Sequence, residues 1–311
     1  MLRVLILLLP LLLVPASVAS HPGHGEPFVV VLGVAQDAGH PQAACRKTCC
    51  DRAWSDPAAR HRVASLGIVD PHSGQRWMID ATPDLPDQLR ALADVGPPTA
   101  RDRVDGVFLT HAHMGHYSGL LHLGREAVGA AGVPVFAMPR MRTFLEKNGP
   151  WSQLVTLENI VIEPLDPATP ITLTPSLTVQ PIVVPHRDEF SETVGFVVRG
   201  PTSSVLWLPD IDKWETWDRR IEDLIASVDA AFLDGTFYAD GEVGRPMAEI
   251  PHPFISESMA RFAALPAAER SKIRFVHFNH TNPVLDPESA ASKQVQEQGF
   301  KLARRGARVA L

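Results

Sequence analysis

The chain has 311 residues, of which 45% are hydrophobic and 21% charged, with a formal net charge of −6 at pH 7. That balance suits a folded protein of one large domain or two small ones, and it excludes extended disorder. The acidic balance and the lack of any long basic run argue against nucleic acid as a general electrostatic partner, which needs clustered Lys and Arg. A small anionic substrate stays compatible, because a bound metal supplies positive charge that the sequence does not.

Residues 1–20 have the pattern of a secretory signal peptide. Arg3 gives the positive start, 4–14 is nearly all Leu, Val and Ile, and the small residues Ala16-Ser17-Val18-Ala19-Ser20 offer cleavage after Ala19 or Ser20. The apolar run is too short for a membrane span and Pro10 interrupts it, so no stable membrane anchor is expected. The mature protein is expected to be secreted, and periplasmic in a bacterium. Residues 21–26 form an aperiodic leader, and 27–311 is expected to be one domain.

Strands are expected at 28–34, 63–69 and 76–79, the last two joined by the turn Asp70-Pro71-His72-Ser73-Gly74. A helix over 83–93 precedes a short apolar strand, 104–109, that runs into His111. A helix over 118–130 and a strand at 133–136 follow. In the second half the expected strands are 177–184, 193–199, 203–208, 229–233 and 273–278. Helices are expected at 214–226, at 254–264 and near the C-terminus. Strands interleave with helices throughout and no Ser/Gly-rich linker divides the halves, which predicts a layered α/β architecture.

The densest chemical signal is His111-Ala112-His113-Met114-Gly115-His116, directly after an apolar strand. Imidazoles two residues apart diverge on a helix, so these converge only from a loop or turn. Three His in six residues after a buried strand is a metal-ligand signature suited to zinc, with iron or manganese as alternatives. His186, Asp210, His277 and His280 stand at the ends of later strands, where side chains of α/β sheets face a crevice. With three His and an Asp around an open position, a metal lowers the pKa of its water to about 7 and makes hydroxide available. Asp210 would orient that hydroxide and accept its proton.

These residues resemble the H-x-H-x-D-H motif of the metallo-β-lactamase superfamily, and the later His and Asp follow that superfamily's chain order. Asp80 matches the upstream Asp that supports the metal loop. The segment 32–39, the loop with Cys45, Cys49 and Cys50, and His277-Phe278-Asn279-His280-Thr281-Asn282-Pro283 are similar to the branch holding coenzyme PQQ biosynthesis protein B and the phosphodiesterases of phosphonate degradation. The resemblance implies an αββα sandwich with metal at one edge. It implies His111, His113 and His186 on a first metal, His116 and His277 on a second, and Asp210 bridging them, so that Asp210 and His116 carry catalysis. Gly115 departs from the motif, standing where the family has an Asp ligand. The second metal is therefore expected to be weak or to recruit Asp37, Asp188, Asp234 or His252.

The cysteine loop resembles the structural-zinc loop of that branch with altered spacing, Lys47 standing at the middle Cys position. Cys45, Cys49, Cys50 and His280 would make a Cys3His set, and a disulfide among two of the three is the competing reading. Assigning His280 there leaves His277 for the catalytic metal. The leading expectation is an exported metal-dependent hydrolase acting on a small phosphodiester, ester or lactone. A single-metal oxygenase like the PQQ biosynthesis relative and a metal-binding protein without turnover are the alternatives.

Overall fold

The fold is taken from a computed structural model that describes residues 25–96 and 104–311. Residues 1–20, where a signal peptide is expected, and residues 21–24 of the expected leader lie outside the described residues. Among those described, no helix is long and apolar enough to cross a membrane.

Two seven-stranded sheets face each other. The first has the order β14-β1-β2-β3-β4-β5-β6, from β1 (Phe28–Gly33), β2 (Ser65–Asp70), β3 (Gln75–Ile79), β4 (Gly106–Phe108), β5 (Val133–Ala137), β6 (Ile160–Pro164) and the C-terminal β14 (Arg308–Ala310). The second has the order β13-β12-β11-β10-β9-β8-β7. Its strands are β7 (Ile171–Thr174), β8 (Leu177–Val183), β9 (Val194–Arg199), β10 (Ser204–Leu208), β11 (Ala230–Asp234), β12 (Ile273–Val276) and β13 (Lys301–Leu302). In each sheet antiparallel pairing gives way to parallel pairing, between β3 and β4 in the first and between β10 and β11 in the second.

The sequence of β1, FVVVLG, shows why a sandwich forms. Alternate side chains of a strand point to opposite faces. Val29 and Val31 enter the core between the sheets, while Phe28, Val30 and Leu32 enter a second core against the outer helices. A strand buried on both faces is apolar at every position. The inter-sheet core holds Ile68, Phe108, Phe196 and Phe275. The outer core of the first sheet holds Leu85 and Leu92 of α2 (Leu85–Val95), and Met141 and Leu145 of α4 (Pro139–Lys147). On the other side α7 (Ile255–Phe262) buries Ile255, Met259 and Phe262. The order of layers is α/β/β/α, the expected sandwich.

Three expected elements change. The helix over 118–130 is a 3-10 turn, Ser118–Leu123, followed by turns. The Gly119 N–H is taken by the Ala81 carbonyl and Gly129 adopts φ +59°, which ends helical continuation. The helix over 214–226 divides into a 3-10 turn, Trp214–Thr216, and α6 (Ile221–Ala226). Trp214 Nε1 donates to Ser258 Oγ at 2.9 Å and Arg261 Nε donates to Glu222 at 2.7 Å, so two anchors on α7 hold the pieces apart. The strand expected over 273–278 stops at Val276, because His277 turns to φ +69°.

Elements not anticipated are α1 (Thr48–Ser55), the one-turn α3 (Met114–Tyr117) that carries His116 where a loop or turn was expected, α4, α5 (Trp151–Thr156), β6, β7, α8 (Ala267–Arg270) and the short β13 and β14. The expected C-terminal helix is α9 (Ala290–Glu297).

Candidate metal centre

The candidate residues gather at one edge of the sandwich. Each follows the carboxyl end of a strand: Asp80 follows β3, His111 to His116 follow β4, His186 follows β8, Asp210 follows β10 and His277 follows β12. These strands share a direction, so their ends open into one crevice. Asp37, past the end of β1, enters the same crevice.

The imidazoles divide into two donor groups. His111, His113 and His186 form one, while His116 and His277 join Asp37 in another; within each group the donor atoms lie within 4.8 Å of one another. Asp210 stands between the groups. Its Oδ2 is 3.5 Å from His111 Nε2, 3.1 Å from His116 Nε2 and 3.2 Å from His277 Nε2, and its Oδ1 is 3.7 Å from His186 Nε2.

Hydrogen bonds behind the rings set which nitrogen faces inward. Asp80, at φ +68°, accepts the Thr110 N–H, the Thr110 hydroxyl and His116 Nδ1–H, the last at 2.7 Å. Thr110 spends its only proton on Asp80, so its oxygen accepts from His111 Nδ1 at 3.0 Å. Thr236 repeats the device. Its hydroxyl donates to Asp234 at 2.7 Å and its oxygen accepts from His277 Nδ1 at 3.0 Å. His186 Nδ1 donates to Asp212 at 3.0 Å, and His113 Nε2 donates to Glu189 at 3.1 Å. Each ring thereby turns its other nitrogen inward, the arrangement by which carboxylates and hydroxyls orient metal-binding histidines.

The charge balance matches. Burial, with His116 nearby, pulls His111 well below its ordinary value; burial likewise lowers His113 and His277, leaving neutral imidazoles with free lone pairs. Burial opposes charge on His116, but Asp80 and Asp210 outweigh it and raise the ring. Burial would also raise Asp210, but the surrounding imidazoles, His277 foremost, hold it well below the usual carboxylate range. The same fields that hold a proton at this point attract a cation.

A metal fits this donor set. His116 Nε2, His186 Nε2, His277 Nε2, Asp210 Oδ1 and Asp37 Oδ1 are buried without a hydrogen-bond partner among the described residues. His111 Nε2 and His113 Nδ1 face each other at 2.8 Å. Lone pairs this close repel unless a proton or cation lies between them.

Of the four substitutes weighed for the motif's missing Asp, only Asp37 joins His116 and His277. Asp188 braces a loop, accepting from Thr193 while its carbonyl accepts from Arg140. Asp234 is a support, holding Thr236, the Ile211 N–H and His252 Nδ1. His252 groups with His186 and Asp210 and not with His116 and His277; its Nδ1 bonds to Asp234 at 2.7 Å, and that carboxylate overcomes burial to raise the ring to about 9. Sequence reasoning missed Thr236 and Asp212. Their only signal is position, each two residues past a strand-end Asp.

His280 stands apart from this centre, with Cys45, Cys49 and Cys50; their four donor atoms lie within 4.8 Å of one another. All three thiols are free in the structure, with Cys45 Sγ and Cys49 Sγ 3.9 Å apart. Burial pushes the Cys50 thiol up to about 12, so only a strong cation would hold it as thiolate.

Comparison with known proteins agrees with this geometry. A family described as "Beta-lactamase superfamily domain" matches residues 75–278, which span β3 to the start of the His277 segment. The chain belongs to the beta-lactamase superfamily. Coenzyme PQQ synthesis protein B of Xanthomonas campestris pv. campestris (strain B100) is 27% identical over 309 residues, covering 91% of this chain and 99% of the relative. The same-named protein of Methylorubrum extorquens (strain PA1) is 28% identical over 311 residues, covering 89% and 98%.

Among solved structures, Zn2+-bound PqqB from Methylobacterium extorquens superposes with a TM-score of 0.75 at 24% identity, over 91% of this chain and 100% of the other. A diphosphatase from the PhnP family superposes with a TM-score of 0.63 at 20% identity, over 92% and 97%. These likenesses establish the metallo-β-lactamase fold of this superfamily member.

Proposed function

We propose that this superfamily member is an exported metal-dependent hydrolase of a small phosphodiester, ester or lactone. The observation that carries the reading is the convergence of five imidazoles, each turned inward by a bond behind it, around the buried Asp210. His111, His113 and His186 would hold one ion, and His116 and His277 a second, with Asp210 shared. Zinc suits this set, with iron or manganese as alternatives. A bound divalent ion supplies Lewis acidity toward a carbonyl or phosphoryl oxygen and brings the pKa of water to about 7.

The chain's own residues do the rest. Asp210, 3% exposed, is the carboxylate available to orient the attacking water and take its proton. Asp80 and Thr110 fix His111 and His116 so that neither ring rotates during the reaction. Asp234 and Thr236 do the same for His277. Beside the crevice a groove of about 320 Å³ is lined by Arg140, Phe144, Lys147, Glu189 and Phe190. Glu189 ties it to His113, and its cations and rings suit an anionic substrate with an apolar part. Export rests on the pattern of residues 1–20, and zinc at the cysteine cluster on its Cys3His donor set.

A second reading, a single-metal oxygenase, is favoured by the near full-length similarity to PQQ synthesis proteins B. One experiment separates the two. Purified protein loaded with Zn2+, Mn2+ or Fe2+ is assayed on bis(p-nitrophenyl) phosphate and simple lactones, with dissolved oxygen followed in parallel. Hydrolysis that Asp210→Asn abolishes supports the hydrolase. Iron-dependent oxygen uptake without hydrolysis contradicts it.

A further inference from the structure

In the superfamily motif that this chain resembles, the residue before the third His is an Asp ligand, and here it is Gly115. The structure shows what occupies its side-chain space. A Cβ on Gly115 would fall 2.4 Å from Asp37 Cα, 2.4 Å from Asp37 Oδ1 and 3.1 Å from Asp37 Cβ. Atoms do not approach so closely, and two of the three are Cα and Cβ, which a flexible side-chain end cannot swing away. Any side chain at 115 and the present path of residue 37 exclude each other.

Asp37 is firmly placed. The chain leaving β1 is held by Ala35 N–H to the Arg62 carbonyl at 2.9 Å, Gln36 N–H to the Phe278 carbonyl at 2.8 Å and Gly39 N–H to the Gln36 carbonyl at 2.8 Å. The Gln36 side chain also accepts from Asn279 Nδ2. These bonds tie residue 37 to the segment carrying His277. Asp37 Oδ1 is buried without a hydrogen-bond partner among the described residues and lies 3.6 Å from His116 Nε2.

We infer that the carboxylate of the second metal position has moved from residue 115 to Asp37, and that residue 115 is glycine because Asp37 occupies its side-chain space. The second ion is then held by Asp37, His116 and His277 with Asp210 shared, so the missing motif Asp does not reduce the centre to one ion. This rests on the metal-dependent reading above and names the ligand that makes it dinuclear. It also places a ligand on the segment that leads into the cysteine cluster, while the motif itself keeps only histidines.

The test is Mn2+ binding to the full mature chain, by calorimetry and by electron paramagnetic resonance, because manganese favours a carboxylate-containing site over a thiolate one. Wild type is expected to bind two Mn2+ with the spectrum of a coupled pair. Asp37→Asn should lose that coupled signal and weaken the second ion at least ten-fold, leaving the first unchanged. Gly115→Asp alone should clash with Asp37 and lose thermal stability. The exchange Asp37→Gly/Gly115→Asp should regain the second ion. If Asp37→Asn, folded by its melting curve, binds both ions as wild type does, the assignment is wrong. Wild type that binds no Mn2+, Zn2+ or Fe2+ at the histidines would overturn the metal-dependent reading as well.

Discussion

Asp80 sits at a strand end with a left-handed backbone and receives three hydrogen bonds, from the Thr110 N–H, the Thr110 hydroxyl and His116. Asp80→Ala strands the buried Thr110 N–H and frees His116 to rotate. The expected result is a loss of about 1–3 kcal/mol of stability for the unsatisfied group. A 10- to 100-fold loss of metal affinity should accompany it, read by denaturant melts and metal titration. Asp210→Asn keeps the shape but removes both the base and the negative charge shared between the two donor groups, so hydrolysis should fall by at least about 100- to 10,000-fold while the far-UV spectrum stays unchanged. At this scale the inward-facing groups were largely legible. His111, His113 and His116 carry their signature within six residues, and His186, Asp210 and His277 follow apolar runs. Thr236, Asp212 and the choice of Asp37 over Asp188, Asp234 and His252 were not, because each is decided by which distant strand end lies alongside.

Among the elements, the strands that run to the crevice were the easiest to read. Burial on both faces makes β1, β10 and β11 apolar except at Ser204 and Asp234 on the strand ends, and that is a strong local signal. The outer pieces were not legible. α4 reads PRMRTFLEK, with only Met141 and Leu145 buried, and β13 and β14 are short, with no residue fully buried. Such segments take their structure from what they pack on. Helix 214–226 failed the opposite way, its local propensity overruled by anchors to Ser258 and Arg261. Phe108, fully buried on β4, stacks on Phe136 at 4.3 Å and meets Phe196 edge-on at 5.5 Å. Phe108→Ala should therefore cost about 3–5 kcal/mol in chemical denaturation. It should also loosen the metal loop that β4 feeds.

Across the whole molecule, two clusters of metal donors flank the 276–282 turn, which supplies His277 to one and His280 to the other. Loss of the cysteine cluster should thus disturb a scaffold that the catalytic edge shares. Beside that cluster, burial and then His40 push His61 down to about 4. The sign follows from linkage. Above about pH 6.5 His61 is neutral in both folded and unfolded chains and contributes no slope. Between about 6.5 and about 4 only the unfolded chain takes the proton, so stability falls as pH falls through that window. His61→Gln should flatten this part of the curve in denaturant melts at stepped pH.

The histidine and aspartate metal centre is separate from the cysteine cluster, with no donor in common. Elemental analysis of purified wild type, His111→Ala and Cys50→Ala reads that separation. Wild type should carry two or more metal ions per chain, with each variant losing only part of them and not the same part. Wild type that carries no metal and gains none on incubation would rule out the centre, and a Cys50→Ala variant that loses all of its metal would rule out its independence from the cysteines.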